Sequence, residues 1–371
     1  MFYAGQDPNE ALGTLWYHDH RFDFTAQNTY KGLTGMAIFY DDVDSGDEND
    51  PDPEALRLPS GDYDVPMQFA DKKFTSTPDH ALFLDIFNTD GFIGDQNTVN
   101  MAIQPYMEVE PRKYRFRWLN VGPSRFYEFA VWDGKSKKTR PYYLIANDGN
   151  LLEKTLKVRS TLVTVAERVD VVVDFSKYDV GDKLWLINQA DQFSGKRATG
   201  VTLAPADSPK LLEFRVIPST GPDNSQVPKK LRPRTDIDPK GDYPEFTWVF
   251  DNQNGMWTIN DEPFDEALVT HTVTSGTTER WHIINTAVDW EHPVHIHLEE
   301  HQIVKRNGKK PAKHERGRKD VTVLRPGDTL EVLIQFREFT GKYPIHCHNT
   351  VHEDHAMLAR WDVLPAETDD P

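Results

Sequence analysis

The sequence has a single cysteine, Cys347, among 371 residues, and this scarcity excludes two kinds of stabilising structure. An intramolecular disulfide needs two cysteines and a cysteine-rich zinc site needs more, so neither holds this chain together. The sequence also lacks an apolar run of about 18 residues, which excludes a membrane-spanning helix. A lone cysteine does not by itself identify a cellular compartment.

Positive charge is also in short supply. The chain has 42 lysines and arginines against 59 aspartates and glutamates, a formal net charge of −17. A protein that binds nucleic acid without sequence preference needs a positive field to displace counterions, so the charge balance argues against this class. What the chain has instead is 25 prolines and 22 glycines, spread between short runs of β-branched and aromatic residues. This pattern predicts an all-β protein.

Two polar segments interrupt the strand-like runs. The acidic segment 41–54 cannot bury itself, and we predict a solvated linker or loop there; its aspartates lack the spacing of a calcium loop. A second segment, 218–244, is rich in proline, aspartate, lysine and serine. These interruptions predict two β-sandwich domains, at 58–220 and 240–371, after a partial domain at 1–50. Strands are predicted at 14–17, 35–40, 169–175, 183–187, 247–250, 279–285, 295–306, 330–336 and 355–363.

One further run, from Val109 to Asn120, alternates aromatic and basic residues. Interleaving of this kind also occurs in proteins that stack nucleic-acid bases on aromatic side chains. Alternation at period two is, however, what a half-buried strand requires. We therefore predict a strand with its aromatic residues facing inward and its charges facing out.

Histidine is strongly clustered. Eight of the 14 histidines lie in three strings: His18-Asp19-His20, His292 to His297, and His346 to His352. Imidazole and thiolate together bind copper, and two histidines, one cysteine and a distant methionine form a blue-copper site. Zinc also accepts histidine but has no redox role, and no oxyanion site accompanies a catalytic Cys–His pair. The three strings together favour copper redox chemistry.

Strand parity sorts these residues into two groups. On a β-strand, residues two apart share a face and neighbours face opposite ways, so Cys347 is predicted to face away from His346 and His348. His292 is an odd number of residues from His295 and can likewise lie on the opposite side. The parity predicts two metal sites joined by the backbone of residue 347, which gives an electron a short covalent path. One site contains Cys347, His292, His352 and Met357, and the other contains paired histidines from three strands.

The strings and their surroundings resemble the multicopper oxidases, in particular the laccase, bilirubin oxidase and spore-coat laccase group. The similarity includes segments 13–20, 58–61, 109–120, 276–281 and 346–357, so it covers nearly the whole chain. It implies an all-β fold of cupredoxin-like Greek-key sandwiches and copper as the cofactor.

The resemblance also implies a role for each ligand. The type 1 copper takes His292, Cys347 and His352, with Met357 as the axial ligand, which implies a moderate potential. The type 3 copper pair takes His18, His20, His297, His346 and His348. The type 2 copper takes His295.

Catalytic roles follow from the same resemblance. Cys347, His346 and His348 carry electrons between the copper sites, and Glu353 is placed to relay protons toward the oxygen site. The alternative for Glu353 is an ordinary salt-bridged surface carboxylate. Trp290 lines the rim of the type 1 site or is a plain core residue.

The sequence departs from the family pattern at its start. The family has a further His-x-His string upstream, so eight of the ten expected histidine ligands are present and the trinuclear ligand set is incomplete in this chain. We expect a fragment or a misassigned start of a longer gene, not a natural short form, because orphan strands expose unpaired edges. Residues 1–8 do not form a signal peptide. Relatives are extracellular, periplasmic or in a spore coat.

The implied reaction is one-electron oxidation of aromatic donors (phenols, aminophenols or tetrapyrroles) coupled to four-electron reduction of dioxygen to water. Electrons are expected to reach the type 1 copper through the exposed edge of His292 or His352. The expected partners are a small aromatic reductant and dioxygen, without nucleic acid or a membrane span. The alternatives are a copper-binding cupredoxin protein without turnover, a structural coat protein and a copper nitrite reductase. Turnover is expected to be impaired in this form.

Overall fold

The computed structural model of the protein describes residues 13–234 and 236–366, and these residues form two compact units. The first unit consists of residues 13–19, 27–85 and 92–234. The second unit consists of residues 20–26, 86–91 and 236–366. The domain boundaries expected from the sequence stay a prediction.

The first unit is built almost entirely from short strands, as its β-branched and aromatic runs predict. In chain order they are β1 (Thr14–His18), β2 (Thr34–Ile38), β3 (Asp64–Lys72), β4 (Gln96–Val99), β5 (Ala102–Ile103), β6 (Tyr106–Val109), β7 (Lys113–Asn120), β8 (Tyr127–Asp133), β9 (Lys138–Arg140), β10 (Tyr142–Asn147), β11 (Asn150–Val158), β12 (Thr161–Val163), β13 (Arg168–Asp174), β14 (Lys183–Asn188) and β15 (Lys210–Val216). A short helix, α1 (Thr25–Tyr30), lies between β1 and β2 in the chain.

Two of the sheets in this unit pack face to face. One has the strand order β11-β10-β13-β7-β3-β4-β5, and the other has the order β12-β8-β14-β15-β6 with β9 paired to β8. Inward-facing aromatic rings from both sheets meet between them: Phe129 of β8 lies 4.5 Å from Phe69 and 4.9 Å from Trp118, measured between ring centroids. Burial of such rings is the main stabilising contribution to a core of this kind.

The aromatic residues of the 109–120 run face the core, as predicted, but the prediction that its charges face solvent is wrong. The run contains β7, which lies between β13 and β3 in its sheet, and its Arg115 and Arg117 side chains are 1% and 0% exposed. The acidic loop supplies one reason, because Asp44 lies 2.8 Å from Arg115. Opposite charges make burial of both side chains tolerable.

The acidic segment 41–54 is therefore a loop, as predicted, but not a fully solvated one. Asp44 and Glu48 are 6% and 7% exposed, and Glu48 pairs with Arg112 at 2.6 Å. A loop with few apolar residues is thus fixed by ion pairs instead of apolar burial. In segment 218–244 the described residues contain no strand, and Leu231 packs into the core of the first unit.

The second unit repeats the sandwich arrangement. Its strands are β16 (Glu245–Gln253), β17 (Met256–Ile259), β18 (Val269–Thr274), β19 (Thr278–Asn285), β20 (His292–Ile296), β21 (His301–Arg306), β22 (Arg318–Lys319), β23 (Val321–Leu324), β24 (Thr329–Gln335), β25 (Gly341–Cys347) and β26 (Leu358–Leu364). One sheet has the order β17-β16-β19-β24-β21-β22 and the other the order β18-β26-β25-β20-β23. Trp281 and Trp361, one from each sheet, lie 5.4 Å apart in the core.

Two predicted strands of this unit are broken where left-handed backbone interrupts them. The run 295–306 divides into β20 and β21 at Leu298, which has a φ of 76°. The run 355–363 becomes β26 only after Ala356, also at a φ of 76°, which follows the short helix α2 (Thr350–Asp354). A non-glycine residue in this region costs roughly 1–2 kcal/mol.

Helix is scarce among the described residues. The two α-helices, α1 and α2, have six and five residues, and neither is long or apolar enough to cross a membrane.

Candidate metal centres

The two C-terminal histidine strings lie on adjacent strands of one sheet. Strands β20 and β25 are antiparallel, with Val294 opposite Cys347 and His295 opposite His346. After Cys347 the chain turns into α2, whose first turn begins where the Asn349 side chain accepts a hydrogen bond from the backbone N–H of Val351. This capped turn brings residues 350–354 back beside the end of β25.

The first group of donor atoms, the cysteine–histidine group, consists of His292, Cys347 and His352. The Nδ1 atoms of the two histidines are 3.3 Å apart and lie 3.3 Å (His292) and 3.5 Å (His352) from Cys347 Sγ. All three residues are 0% exposed. The centre of this triangle is about 2 Å from each donor atom, close to the length of a metal–imidazole bond.

Burial sets the protonation of this group. It lowers the pKa of His292 to about 3 and that of His352 well below its usual value, so both rings are neutral with a lone pair available. The same burial raises the pKa of the Cys347 thiol, which a bound cation reverses because it stabilises the thiolate. Neutral imidazole with thiolate is the donor set that copper prefers, so the residues fit copper.

The orientation of the His352 ring is fixed from outside the group. Its Nε2 lies 3.2 Å from the carbonyl oxygen of Asp90, which can only accept a hydrogen bond. This contact selects the Nε2–H tautomer and leaves the Nδ1 lone pair facing Cys347. The side-chain amide nitrogen of Asn349, also a donor, lies 3.1 Å from the same ring nitrogen and does not accept a hydrogen bond from it.

Met357 belongs to the same turn of chain. Its backbone N–H donates to the His352 carbonyl at 3.0 Å, and its carbonyl accepts from the Cys347 N–H at 3.1 Å. The side chain is 0% exposed and packs in the core of the second unit with Cys347. Its axial ligand role stays a prediction.

The second group, the three-histidine group, consists of His20, His297 and His346. Their Nε2 atoms are 3.1–3.3 Å apart, so the centre of the triangle is again about 2 Å from each nitrogen. Three lone pairs converging at this distance repel one another unless protons or a cation lie between them. The group therefore also fits a metal ion.

Glu353 lies behind this group and is 1% exposed, so the surface-carboxylate alternative is wrong. One of its oxygens lies 2.9 Å from His346 Nδ1 and the other 3.4 Å from His20 Nδ1. A carboxylate at these distances favours a positive charge at the three-histidine group, whether a proton or a metal ion. His346 of this group and Cys347 of the cysteine–histidine group are consecutive residues, so one peptide bond joins the two groups.

The remaining predicted ligands lie near the three-histidine group or outside its unit. The His295 ring is 4.5 Å from His297, and its Nδ1 lies 2.8 Å from the Asp320 carbonyl. The His348 ring is 5.3 Å from His346. His18 belongs to the first unit, where its ring stacks on Trp16 at 4.5 Å. Since β1 ends at His18, strand parity does not relate it to His20. The ligand roles of His18, His295 and His348 stay predictions.

The expected exposed imidazole edge is wrong in this structure, because His292 and His352 are fully buried. Trp257 covers His352, with ring centroids 4.1 Å apart and an interplanar angle of 33°. Neither Trp257 nor Asp90 carries a motif, and they lie 95 and 262 residues from His352, so sequence reasoning missed both.

Comparison with known proteins agrees with this geometry. The family model described as "Multicopper oxidase" matches residues 232–367. The chain is 35% identical to a bilirubin oxidase of Albifimbria verrucaria, with 96% of this chain and 62% of that protein aligned. It is 30% identical to a laccase of Bacillus subtilis, with 96% of this chain and 72% of that protein aligned.

Solved structures give the same result. The crystal structure of the McoA multicopper oxidase from Aquifex aeolicus superposes with a TM-score of 0.82 at 28% identity. The match covers 95% of this chain and 76% of that one. The chain thus spans between about three-fifths and three-quarters of the length of these relatives.

Proposed function

Because the chain belongs to the multicopper oxidase family, we propose that it oxidises small aromatic donors one electron at a time and passes the electrons to dioxygen. The donor class is phenols, aminophenols or tetrapyrroles. This class is suggested by the laccase and bilirubin oxidase relatives. The acceptor is dioxygen, reduced by four electrons and four protons to two waters.

A single observation carries the proposal: two groups of metal-binding donors, one fully buried and one half-buried and of different chemistry, are joined through one peptide bond. The cysteine–histidine group has the donor set of a redox-active blue-copper site, and the three-histidine group has that of a second copper. Copper supplies the redox chemistry when it is bound.

The protein's own residues have separate roles in this proposal. Cys347 and His346 provide the covalent connection between the groups, and His348 extends it on the other side of Cys347. Glu353 lies 2.9 Å from His346 Nδ1 and 3.4 Å from His20 Nδ1, which suits it to deliver protons to the three-histidine group. The Asp90 carbonyl keeps the His352 ring in its ligating tautomer.

The chain holds eight of the ten histidines that the resemblance implies. We therefore expect this chain alone to form the cysteine–histidine site and to reduce dioxygen slowly. The second candidate function is a copper-binding protein without turnover, which needs only the cysteine–histidine group.

The test is copper loading of the 371-residue chain, followed by copper per chain, blue absorbance and oxygen uptake with hydroquinone. We expect blue absorbance that disappears in Cys347→Ser. In His20→Ala, copper per chain should fall while the blue absorbance persists, since that histidine belongs to the other group. His282→Gln, which alters a histidine paired with Glu245 outside both groups, is the matched control.

The outcomes separate the two functions. Oxygen uptake that depends on Cys347 supports the oxidase, whereas a blue protein with no uptake supports copper binding alone. A wild-type chain that stays colourless with copper, or a Cys347→Ser variant as blue as the wild type, would contradict both.

A further inference from the structure

We propose that Asp354 positions the three-histidine group, because its carboxylate tethers the segment 20–26 that begins with His20. Asp354 acts on this histidine through the backbone of the segment, so it is a positioning residue and not a ligand. The inference rests on the proposed function, since it requires copper at the three-histidine group. Segment 20–26, Asp354 and the group all belong to the second unit.

His20 lies further from the sheet framework than its two partners. His346 belongs to β25, and His297 directly follows β20 and donates its backbone N–H to the Pro344 carbonyl of β25 at 3.2 Å. His20 instead lies two residues after β1 ends, and residues 21–24, which follow it, are exposed. Strand pairing therefore fixes two of the three histidines, and the third needs other support.

Close packing does not supply this support on one side of the segment. A cavity of about 560 Å³ lies there, and His20, Phe22, Phe264 and Tyr343 are among the residues that line it. The Phe22 ring lies 4.9 Å from that of Phe264 but remains 37% exposed. A side chain that borders a cavity lacks close contacts on that side, so directed hydrogen bonds matter more for its position.

Asp354 supplies such hydrogen bonds at the far end of the segment. Its Oδ1 accepts from the Thr25 backbone N–H at 3.0 Å, and its Oδ2 accepts from the Ala26 backbone N–H at 2.8 Å. These amides belong to the first turn of α1, where N–H groups have no partner within the helix. Thr25 and Ala26 are 0% and 1% exposed, and a charged acceptor makes the bonds stronger than neutral ones.

The helix α2 thus contacts the segment at both ends. Glu353, the residue before Asp354, has one carboxylate oxygen 3.4 Å from His20 Nδ1. His352, one residue earlier, belongs to the cysteine–histidine group. Three successive residues of α2 therefore supply one ligand to the first group and two contacts to the segment that carries a ligand of the second.

This arrangement has a consequence for copper binding. Without the Asp354 contact the far end of the segment is released, and His20 spends less time beside His297 and His346. Ordering a mobile ligand costs free energy at the moment of binding, so a segment that is already fixed binds a metal ion more tightly. We therefore expect Asp354 to raise the affinity of the three-histidine group for copper.

The second unit offers a matched control in Asp328. This carboxylate is also buried and also accepts from a backbone N–H, that of Arg325 at 3.1 Å. Its other hydrogen bonds come from the side chains of Arg306 and Asn307, at 2.6 and 2.7 Å. Asp328→Asn therefore disturbs a carboxylate that holds a turn of the same unit without a contact to segment 20–26.

The experiment titrates the metal-free chain with Cu²⁺ against a competing chelator. Blue absorbance reports the cysteine–histidine group, and the affinity for the next copper reports the three-histidine group. The variants are Asp354→Ala, Asp354→Asn and Asp328→Asn. Hydrogen exchange at the Thr25 and Ala26 amides of each metal-free chain measures the tether independently of any copper.

We expect Asp354→Ala to weaken binding of the second copper by about tenfold or more, the typical cost of losing a residue that orients a metal ligand. The blue absorbance should be unchanged, and the Thr25 and Ala26 amides should exchange faster. Asp354→Asn keeps the side-chain shape and one acceptor oxygen, so it should show the same changes to a smaller degree. Asp328→Asn should match the wild type in all three measurements.

A double-mutant cycle separates positioning from a general loss of structure. In His20→Ala the tether has no ligand to position, and His297 and His346 remain to bind the second copper more weakly. Adding Asp354→Ala to this variant should weaken that copper by less than about twofold further, because the two substitutions act through the same ligand. An equal loss with and without His20 would show that Asp354 acts by another route.

The inference would be overturned by wild-type affinity for the second copper in both Asp354 variants, or by the same loss of affinity in Asp328→Asn. A wild-type chain that turns blue but binds no second copper would also overturn it, while the cysteine–histidine site would stand. A wild-type chain that stays colourless with copper would instead contradict the proposed function.

Discussion

The first unit and the second unit both bury polar side chains, but they satisfy them in different ways. In the first unit, Arg115 and Arg117 face buried aspartates such as Asp170, so charges of opposite sign neutralise one another. In the second unit, the cysteine–histidine group consists of neutral donors that face a common centre. Buried charges need counter-charges, so the first network is neutralised by the protein's own side chains, whereas the second arrangement favours a bound cation.

The difference shows how to distinguish structural from functional polar burial. Side chains of opposite charge that pair at 2.7–3.1 Å, as Asp170 does with the two arginines, neutralise each other without a bound ion. Neutral metal-binding atoms of the same kind that converge on one centre indicate a site for a metal ion. Histidine and cysteine clusters should therefore be judged by what faces them and not by burial alone.

The largest effect should come from breaking the first network. Asp170→Ala leaves two arginines buried without their shared carboxylate, and we expect it to lower the free energy of unfolding by about 3–5 kcal/mol. Urea denaturation measures this loss. Lys135→Ala, at an ion pair whose lysine is 78% exposed, should change stability by less than about 1 kcal/mol. Equal losses of stability in the two variants would show that the buried network contributes no more than an exposed ion pair.

Bound copper should stabilise the second unit, as the ion pairs stabilise the first. A ligand that binds only the folded state at a hundred times its Kd stabilises it by about 2.7 kcal/mol. We expect thermal unfolding of the wild type to shift upward with copper, and the shift to shrink in His352→Ala, which removes a donor of the cysteine–histidine group. His282→Gln should keep the wild-type shift. A full shift in His352→Ala would mean that copper binds elsewhere.

A smaller effect is expected from the hydroxyl that completes the first network. Thr14 Oγ1 donates to Asp170 at 2.7 Å and accepts from Arg117 at 2.7 Å. Thr14→Val keeps the side-chain shape but leaves both groups short of a partner, so we expect a loss of about 1–3 kcal/mol in urea denaturation. A loss as large as that of Asp170→Ala would show that the hydroxyl, not the charges, organises the network.

The smallest effect is a dependence on pH. Burial raises the pKa of Asp170, but Arg117 and Arg115 outweigh it, so the pKa lies below its usual value. The folded state therefore gains stability that is fully present above the ordinary carboxyl pKa of about 4 and is lost as the pH falls further. Stability measured from pH 6 downward should fall less steeply in Asp170→Asn than in the wild type. Parallel curves of stability against pH in the two proteins would show that Asp170 does not contribute to the loss of stability in acid.

Local patterns in the sequence predicted much of the fold. Period-two alternation and frequent turn residues predicted the all-β, cupredoxin-like sandwiches, and the structure and its relatives confirm them. The copper cofactor predicted from the histidine strings is likewise confirmed at the level of the family. The errors lie where non-local charge or local strain intervened, as at Arg117, which an aspartate on another strand allows to be buried, and at Leu298.

Sequence by itself determined which atoms can bind metal and which of them face opposite ways, because ligand type is a property of each residue and strand parity is a local rule. Only the tertiary structure decided that His20 joins His297 and His346, and that Trp257 and Asp90 enclose His352. Those contacts join residues far apart in the chain. Their distances depend on how whole strands and loops pack, which no local pattern encodes.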